Sequence, residues 1–169
     1  MIIRSHRLMP FTPADQLVAR EIYADAIDSQ AAALYSAEQI SAWMALAWLP
    51  GVFDRPLAEG SGWLSVENDQ AEAFALRYPS DRLALLYCRG RAARRGHATG
   101  LLARLEAEAY QEGLRCLSTE ASLLSQPLLS KCGWRVKAQE SIAIGGVSFD
   151  RYRMEKVLQA GSNRGFDAS

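Results

Sequence analysis

The run LALLYC at 83–88 does most to constrain how this chain can fold. Six consecutive apolar residues bounded by turn signals suit a strand covered on both faces. The run leads through CRGRAAR and RGHATG into LLARLEAEAYQEG, a helical pattern that ends at Gly113. Strand, basic glycine-bearing turn and helix therefore follow one another without a long loop.

That turn raises a chemical question, because a simple reversal needs one glycine and no arginine. The first N–H groups of the helix, which opens at Ala98 or Thr99, have no partner inside it. With those of Arg95, Gly96 and His97 they form a patch of partial positive charge. Small residues at Gly96, Ala98 and Gly100 let a ligand reach the backbone. Arg94 and Arg95 add full charges, and His97 can add a hydrogen bond. The pattern points to an anion site suited to a pyrophosphate. It is not a P-loop, since GxxxxGK[ST] is absent, and no GxGxxG occurs at this junction. A nucleic-acid patch fits poorly, because no aromatic residues interleave with the arginines.

The rest of the chain reads as alternating short elements. Residues 2–9 suit an edge strand, ending where Thr12, Pro13 and Asp15 open a helix. That helix carries apolar residues at 17, 18, 22, 23, 26 and 27. Ser36 and Gln39 form a capping box before ISAWMALAW. WLSVE and AFALRY flank NDQA as a hairpin, and YPSD turns into LALLYC. Beyond Gly113, LRCLSTEAS reads as a strand, SQPLLSKCG as a short helix, and WRVKAQESIAI with VSFDRYRMEKV as an antiparallel pair. The order β, α, α, β, β, β, α, β, α, β, β predicts an α/β fold. Its sheet is mixed and largely antiparallel, flanked by helices on both faces, and not doubly wound. One domain spans 1–158, and 159–169 is expected as a mobile tail.

Nineteen basic and nineteen acidic side chains give a formal net charge of zero. No global field attracts nucleic acid or an anionic membrane, so any anion binding must be local. Cys88, Cys116 and Cys132 are widely spaced without CxxC, and there are two histidines. Neither a metal site nor a disulfide framework is expected; the thiols read as reduced and mostly buried in a cytoplasmic protein. MIIRSHRLMPF has no apolar run long enough for a signal peptide or membrane anchor.

RGHATG after an apolar strand resembles the R/Q-x-x-G-x-G/A pyrophosphate signature of the GNAT superfamily of acetyl-CoA-dependent N-acetyltransferases. Arg95 stands at the R/Q position, Gly100 at the last, and Ala98 replaces the middle glycine. The resemblance runs from about residue 2 to 157. YSAEQISAW, STEAS, KCGW and RYRMEK are similar to the YafP-like subgroup. It implies acetyl-CoA as cosubstrate. The pyrophosphate would lie on residues 94–100 and the pantetheine arm on the backbone of Leu86, Tyr87 and Cys88. The helix at 123–133 would close the other side.

Acetyl transfer to an amine needs a deprotonated nucleophile, oxyanion stabilisation and a proton for the thiolate. The resemblance places a tyrosine acid where this chain has Leu129, so that hydroxyl is missing. Ser122 falls where relatives carry an asparagine near the sulfur. Glu120 is the leading base candidate, with an ion pair to an arginine as its structural alternative; Asp28 and Asp81 follow. The acceptor pocket is expected from AIDSQAAALYSAEQISAW. There Tyr35, Trp43 and Tyr23 offer aromatic walls, and Asp28 and Ser29 could hold an amine. The sequence thus predicts an N-acetyltransferase acting by direct attack on a small-molecule or peptide amine, with homodimers common among such proteins. The alternative is a catalytically degenerate acyl-CoA-binding sensor or interaction module, favoured by Leu129. An RNA-binding protein is a third reading, marked by salt-sensitive affinity.

Overall fold

The structure, a computed structural model, describes residues 6–160. The expectations for residues 2–5 and 161–169 lie outside the described residues. Strand β1 (Arg7–Pro10) leads to helices α1 (Gln16–Gln30) and α2 (Ala37–Ala45). A short helix, α3 (Asp54–Glu59), precedes strands β2 (Ser61–Glu67), β3 (Gln70–Arg77) and β4 (Leu83–Cys88). Helix α4 (His97–Gln111), strand β5 (Cys116–Ala121) and helix α5 (Gln126–Lys131) follow. Strands β6 (Arg135–Ile144) and β7 (Val147–Val157) close the order.

Local chemistry fixes several boundaries. Ser36 Oγ accepts from the Gln39 amide at 3.1 Å while Gln39 Oε1 accepts from the Ser36 amide at 2.9 Å, a reciprocal capping box. Asn68 and Asp69, at φ 53° and 60°, turn β2 into β3 with the twist a two-residue hairpin needs. Helix α3 had no sequence expectation. Its Pro56 lies in the first turn, where a missing N–H costs little, so DRPLAE is helical despite its proline.

The strands form two antiparallel sheets, β1-β2-β3-β4 and β5-β7-β6. Among the described residues a single parallel bridge, Arg82 to Ser118, joins them. Beyond it β4 and β5 belong to separate sheets, tied by side chains where the Thr119 hydroxyl donates to the Leu83 carbonyl at 2.7 Å and Arg82 pairs with Glu120. Helices cover both faces. Phe74 and Leu76 of β3 pack with Ile22, Tyr23 and Trp43 of α1 and α2. The smaller Ala73 and Ala75, on the other face, let Leu101, Leu102 and Leu105 of α4 pack in. β4 is covered on both faces as its composition predicts: Leu85 joins the first core and Leu83 the second.

The expectation of mostly buried thiols needs correction. Cys116 is exposed at the start of β5, where strand alternation turns it outward, and Cys88 and Cys132 are half-buried. No helix among the described residues is long and apolar enough to cross a membrane.

Candidate functional site

Helix α4 begins at His97, capped by Gly96 at φ 89°. Its first intrahelical bond runs from the Gly100 amide to the Gly96 carbonyl at 3.0 Å. The amides of His97, Ala98 and Thr99 are therefore the unpaired ones that a helix start always leaves. A Cβ added at Gly96 or Gly100 would meet no atom within 4 Å, so the space above these amides is open. Arg94 takes the left-handed region at φ 63°, a strain of about 1–2 kcal/mol for a residue with a Cβ. Its exposed side chain has no ion-pair partner among the described residues. Amides, open space and an uncommitted guanidinium fit a diphosphate.

Arg95 is held at the rim by Glu67. Its Nη1 lies 3.3 and 3.4 Å from the two carboxylate oxygens. Glu67 is buried and also meets His97 Nε2 at 3.0 Å, and Ser65 Oγ lies 2.7 Å from His97 Nδ1. His97 is thus 2% exposed, a strut beneath the helix start, and only its backbone faces the anion site. Sequence reasoning did not find this buried set. Its members lie on β2 and α4, and no local pattern joins them. The His97 hydrogen bond, with help from Arg95, holds the Glu67 carboxyl below the usual range.

His6 completes the cluster by stacking on His97, ring centroids 3.7 Å apart and planes 11° from parallel. Ligand atoms of His6, Glu67 and His97 lie within 4.8 Å of one another. Both ring Nε2 atoms approach Glu67 Oε2, His97 at 3.0 Å and His6 at 3.7 Å, and Arg95 adds a positive charge beside them.

From the α4 start a cleft of about 290 Å³ runs along β4 and β5. All six residues of β4 line it, including Leu86, Tyr87 and Cys88, together with Ala98, Thr119, Glu120 and Ser122. Tyr23, Gln30, Tyr35, Trp43 and Phe149 form the wall opposite, and Leu128 and Leu129 of α5 another. Ala98 belongs to both the helix start and the cleft, so the anion site opens directly into it.

Glu120 Oε2 accepts from Arg82 Nε at 2.8 Å, the ion pair weighed as its structural alternative. Oε1 has no hydrogen-bond partner among the described residues. Ser122 Oγ accepts from the Ser125 amide at 3.1 Å and lies 3.2 Å from Ser125 Oγ. Tyr35 is 7% exposed, and its hydroxyl accepts from the Leu123 amide at 2.8 Å. Burial raises its pKa. Burial, with Glu72 and Asp25 nearby, pushes the Cys88 thiol up to about 11.

Asp28 and Ser29 lie outside the cleft lining, exposed on the last turn of α1. Ser29 spends its hydroxyl on the Asp25 carbonyl at 2.6 Å. Gln30 faces inward instead and donates from Nε2 to the Cys88 carbonyl at 2.7 Å, while Asp25 Oδ2 accepts from the Gly90 amide at 2.9 Å. The apolar period 22, 23, 26, 27 already places position 30 on the inner face, so that signal was present in the sequence. Asp81 is exposed, its carbonyl accepting from the Ser118 amide at 3.0 Å beside the bridge.

No protein-family model and no curated protein sequence matches this chain. Solved structures do. A protein described as a GCN5-related N-acetyltransferase from Rhodopseudomonas palustris matches with a TM-score of 0.86 at 26% identity, over 94% of this chain and 99% of that one. The PaiA N-acetyltransferase of Thermoplasma acidophilum, in complex with coenzyme A, matches at 0.67 and 15% identity, over 91% and 99%. The YncA putative acetyltransferase of Salmonella typhimurium, with its cofactor acetyl-CoA, matches at 0.62 and 19%, over 98% and 99%. The chain has the fold of the GCN5-related N-acetyltransferases.

Proposed function

We propose that this protein is an N-acetyltransferase of the YafP-like kind that moves acetyl from acetyl-CoA to a primary amine by direct attack. The fold is that of an N-acetyltransferase, and two structures similar to it hold coenzyme A or acetyl-CoA. The observation that carries the reading is the continuity of the α4 anion site with the cleft through Ala98. A ligand with a diphosphate at one end and a thin acyl-bearing arm at the other matches that shape.

In this reading residues 94–100 bind the pyrophosphate through the unpaired amides of 97–99, with Arg94 and Arg95 neutralising its charge. The edge of β4 at Leu86, Tyr87 and Cys88 borders the arm, where β5 belongs to the other sheet. Glu120, through Oε1, takes the proton from the attacking nitrogen, and Ser122 orients water or the departing sulfur. Tyr35 belongs to the wall that meets the acceptor. A thiol pushed up to about 11 stays protonated at neutral pH, so Cys88 is a poor acyl carrier and direct attack is favoured. The setting is the cytoplasm.

A second reading, an acyl-CoA-binding module without catalysis, is favoured by one observation. Leu129 is 1% exposed, so α5 presents carbon where an acid would stand. Thiol release from acetyl-CoA in the presence of a panel of amines separates the two. Release with acetylated product supports the enzyme; binding without release supports the module.

A further inference from the structure

The hydroxyls and thiols around the cleft differ in where their hydrogens go. Tyr23 donates to the Trp43 carbonyl at 3.0 Å, and Thr119 donates to the Leu83 carbonyl. Cys88 points its S–H at the Arg89 carbonyl. Tyr35 is different: its oxygen accepts the Leu123 amide at 2.8 Å, next to Ser122 in the chain. The phenolic hydrogen is therefore not given to a protein carbonyl. Among the phenols that line the cleft, Tyr87 also has no carbonyl acceptor among the described residues. Its hydroxyl meets the Trp43 side chain, and its ring packs edge-on against Tyr23, on the core side of the cleft. Tyr35 reaches the end of β5, beside Ser122 and the wall that contains Leu129.

We infer that Tyr35 is the catalytic proton donor to the departing thiolate, supplied from the link between α1 and α2 in place of a hydroxyl on α5. This rests on the acetyl-transfer reading above. The amine nitrogen bonds to the acetyl carbon, and the carbon–sulfur bond breaks with its electron pair going to sulfur. The phenolic hydrogen of Tyr35 passes to that sulfur, giving free thiol. The hydrogen lost by nitrogen leaves through Glu120 or water. Water then returns a proton to the phenolate through Ser122. A phenol is ordinarily protonated at neutral pH, as an acid must be, and burial here pushes in the same direction.

The test uses the full chain with saturating acetyl-CoA and, as acceptors, phenethylamine, spermidine, phenylalanine and water, reading thiol release. Tyr35→Phe keeps the ring and removes the hydrogen. The expected result is a kcat about a hundredfold lower with acetyl-CoA affinity within about twofold. Site-specific difluorotyrosine at position 35 keeps every contact and lowers the phenol pKa. It should move the alkaline limb of the kcat profile to lower pH, a change a purely structural role would not produce. Wild-type kcat and pH profile in both variants overturn the assignment while leaving acetyl transfer intact. So does a loss confined to Tyr87→Phe. Acetyl-CoA binding with no thiol release by the wild type overturns acetyl transfer itself, and the Tyr35 role with it.

Discussion

Arg77 and Glu112 form a two-pronged ion pair, Nη1 to Oε2 at 2.9 Å and Nη2 to Oε1 at 2.8 Å, that fastens the C-terminal end of α4 to β3. The arginine side chain is fully buried and the carboxylate half-exposed. The pair is asymmetric, because removing the glutamate strands a charge that water cannot reach. Glu112→Ala should destabilise the fold by about 2–3 kcal/mol, read from urea unfolding. Arg77→Met in the same background should restore part of the loss. A loss below about 0.5 kcal/mol would show that the carbonyl of Ser80, at 2.7 Å from Nη1, satisfies the guanidinium without Glu112.

Acid should loosen the start of α4 through Glu67. Its carboxyl sits below the ordinary range because of the His97 hydrogen bond first and Arg95 next. A depressed carboxyl stabilises the fold above its unfolded value near 4.3 and loses that contribution as pH falls through the folded value. His6 acts in the same direction at higher pH. Burial first, and the adjacent His97, lower its pKa, so the unfolded chain is protonated first as pH drops through about 6.5. Melting temperatures of wild type and Glu67→Gln should differ most near neutrality and converge toward pH 3. A constant gap across that range would remove Glu67 from the acid response.

Acetyl-CoA at about 100 times its dissociation constant should raise stability by roughly 2.7 kcal/mol. Dephosphorylated pantetheine should do much less, since it offers nothing to the amides of 97–99. Equal melting shifts from the two would place the ligand away from α4.

At Gly100 stability and binding should part. The added side chain meets open space, and replacing glycine within a helix recovers about 0.5–1 kcal/mol. Gly100→Glu should therefore fold at least as well as wild type and lose acetyl-CoA binding by calorimetry. Gly96→Glu should lose both, because φ 89° strains any side chain by about 1–2 kcal/mol. Normal binding in Gly100→Glu contradicts the anion site.

Leu129→Tyr tests whether α5 can accept the hydroxyl that its sequence lacks. Leu129 is 1% exposed among packed neighbours, and a larger side chain there costs about 1–3 kcal/mol. The expected outcome is a lower melting temperature and no gain in turnover. Higher turnover would show that the cleft has room for a second acid beside Tyr35.

Much of this architecture was legible in the chain. The continuous apolar run of β4, the cap at Ser36, and the 22, 23, 26, 27 stripe of α1 each carry a local physical cause, whereas α4 opens at His97, ahead of the Ala98 or Thr99 that the sequence suggests. The stripe also marks the limit of that reading. It extends to Gln30, yet polarity alone drew attention to Asp28 and Ser29, which sit on the opposite side of the same turn. The two histidines were expected to be too few for a metal site, and His97 to give a hydrogen bond to the anion. Only the pairing of β1 with β2 beside α4 brings His6 onto His97, and no spacing in a sequence encodes a meeting across three elements. Glu120 shows a different gap. The sequence offered both a base and an ion-pair partner, and the structure gives one carboxylate oxygen to Arg82 and leaves the other open, so the two roles need not compete.

Among the described residues the two sheets share a single bridge at Arg82 and Ser118, and past it each shows the other an unfinished edge. The protein is in that sense a seam left open along its working length. A linear ligand laid into the seam stands where a strand's hydrogen-bonding partner would, and it joins two halves that the backbone itself barely ties. Ligand concentration then becomes a mechanical variable. Amide exchange at the free edge of β4 should slow with occupancy, while the paired interiors of the two sheets stay as they were. Slowing spread evenly through both sheets would mean that the halves already move as one body without it.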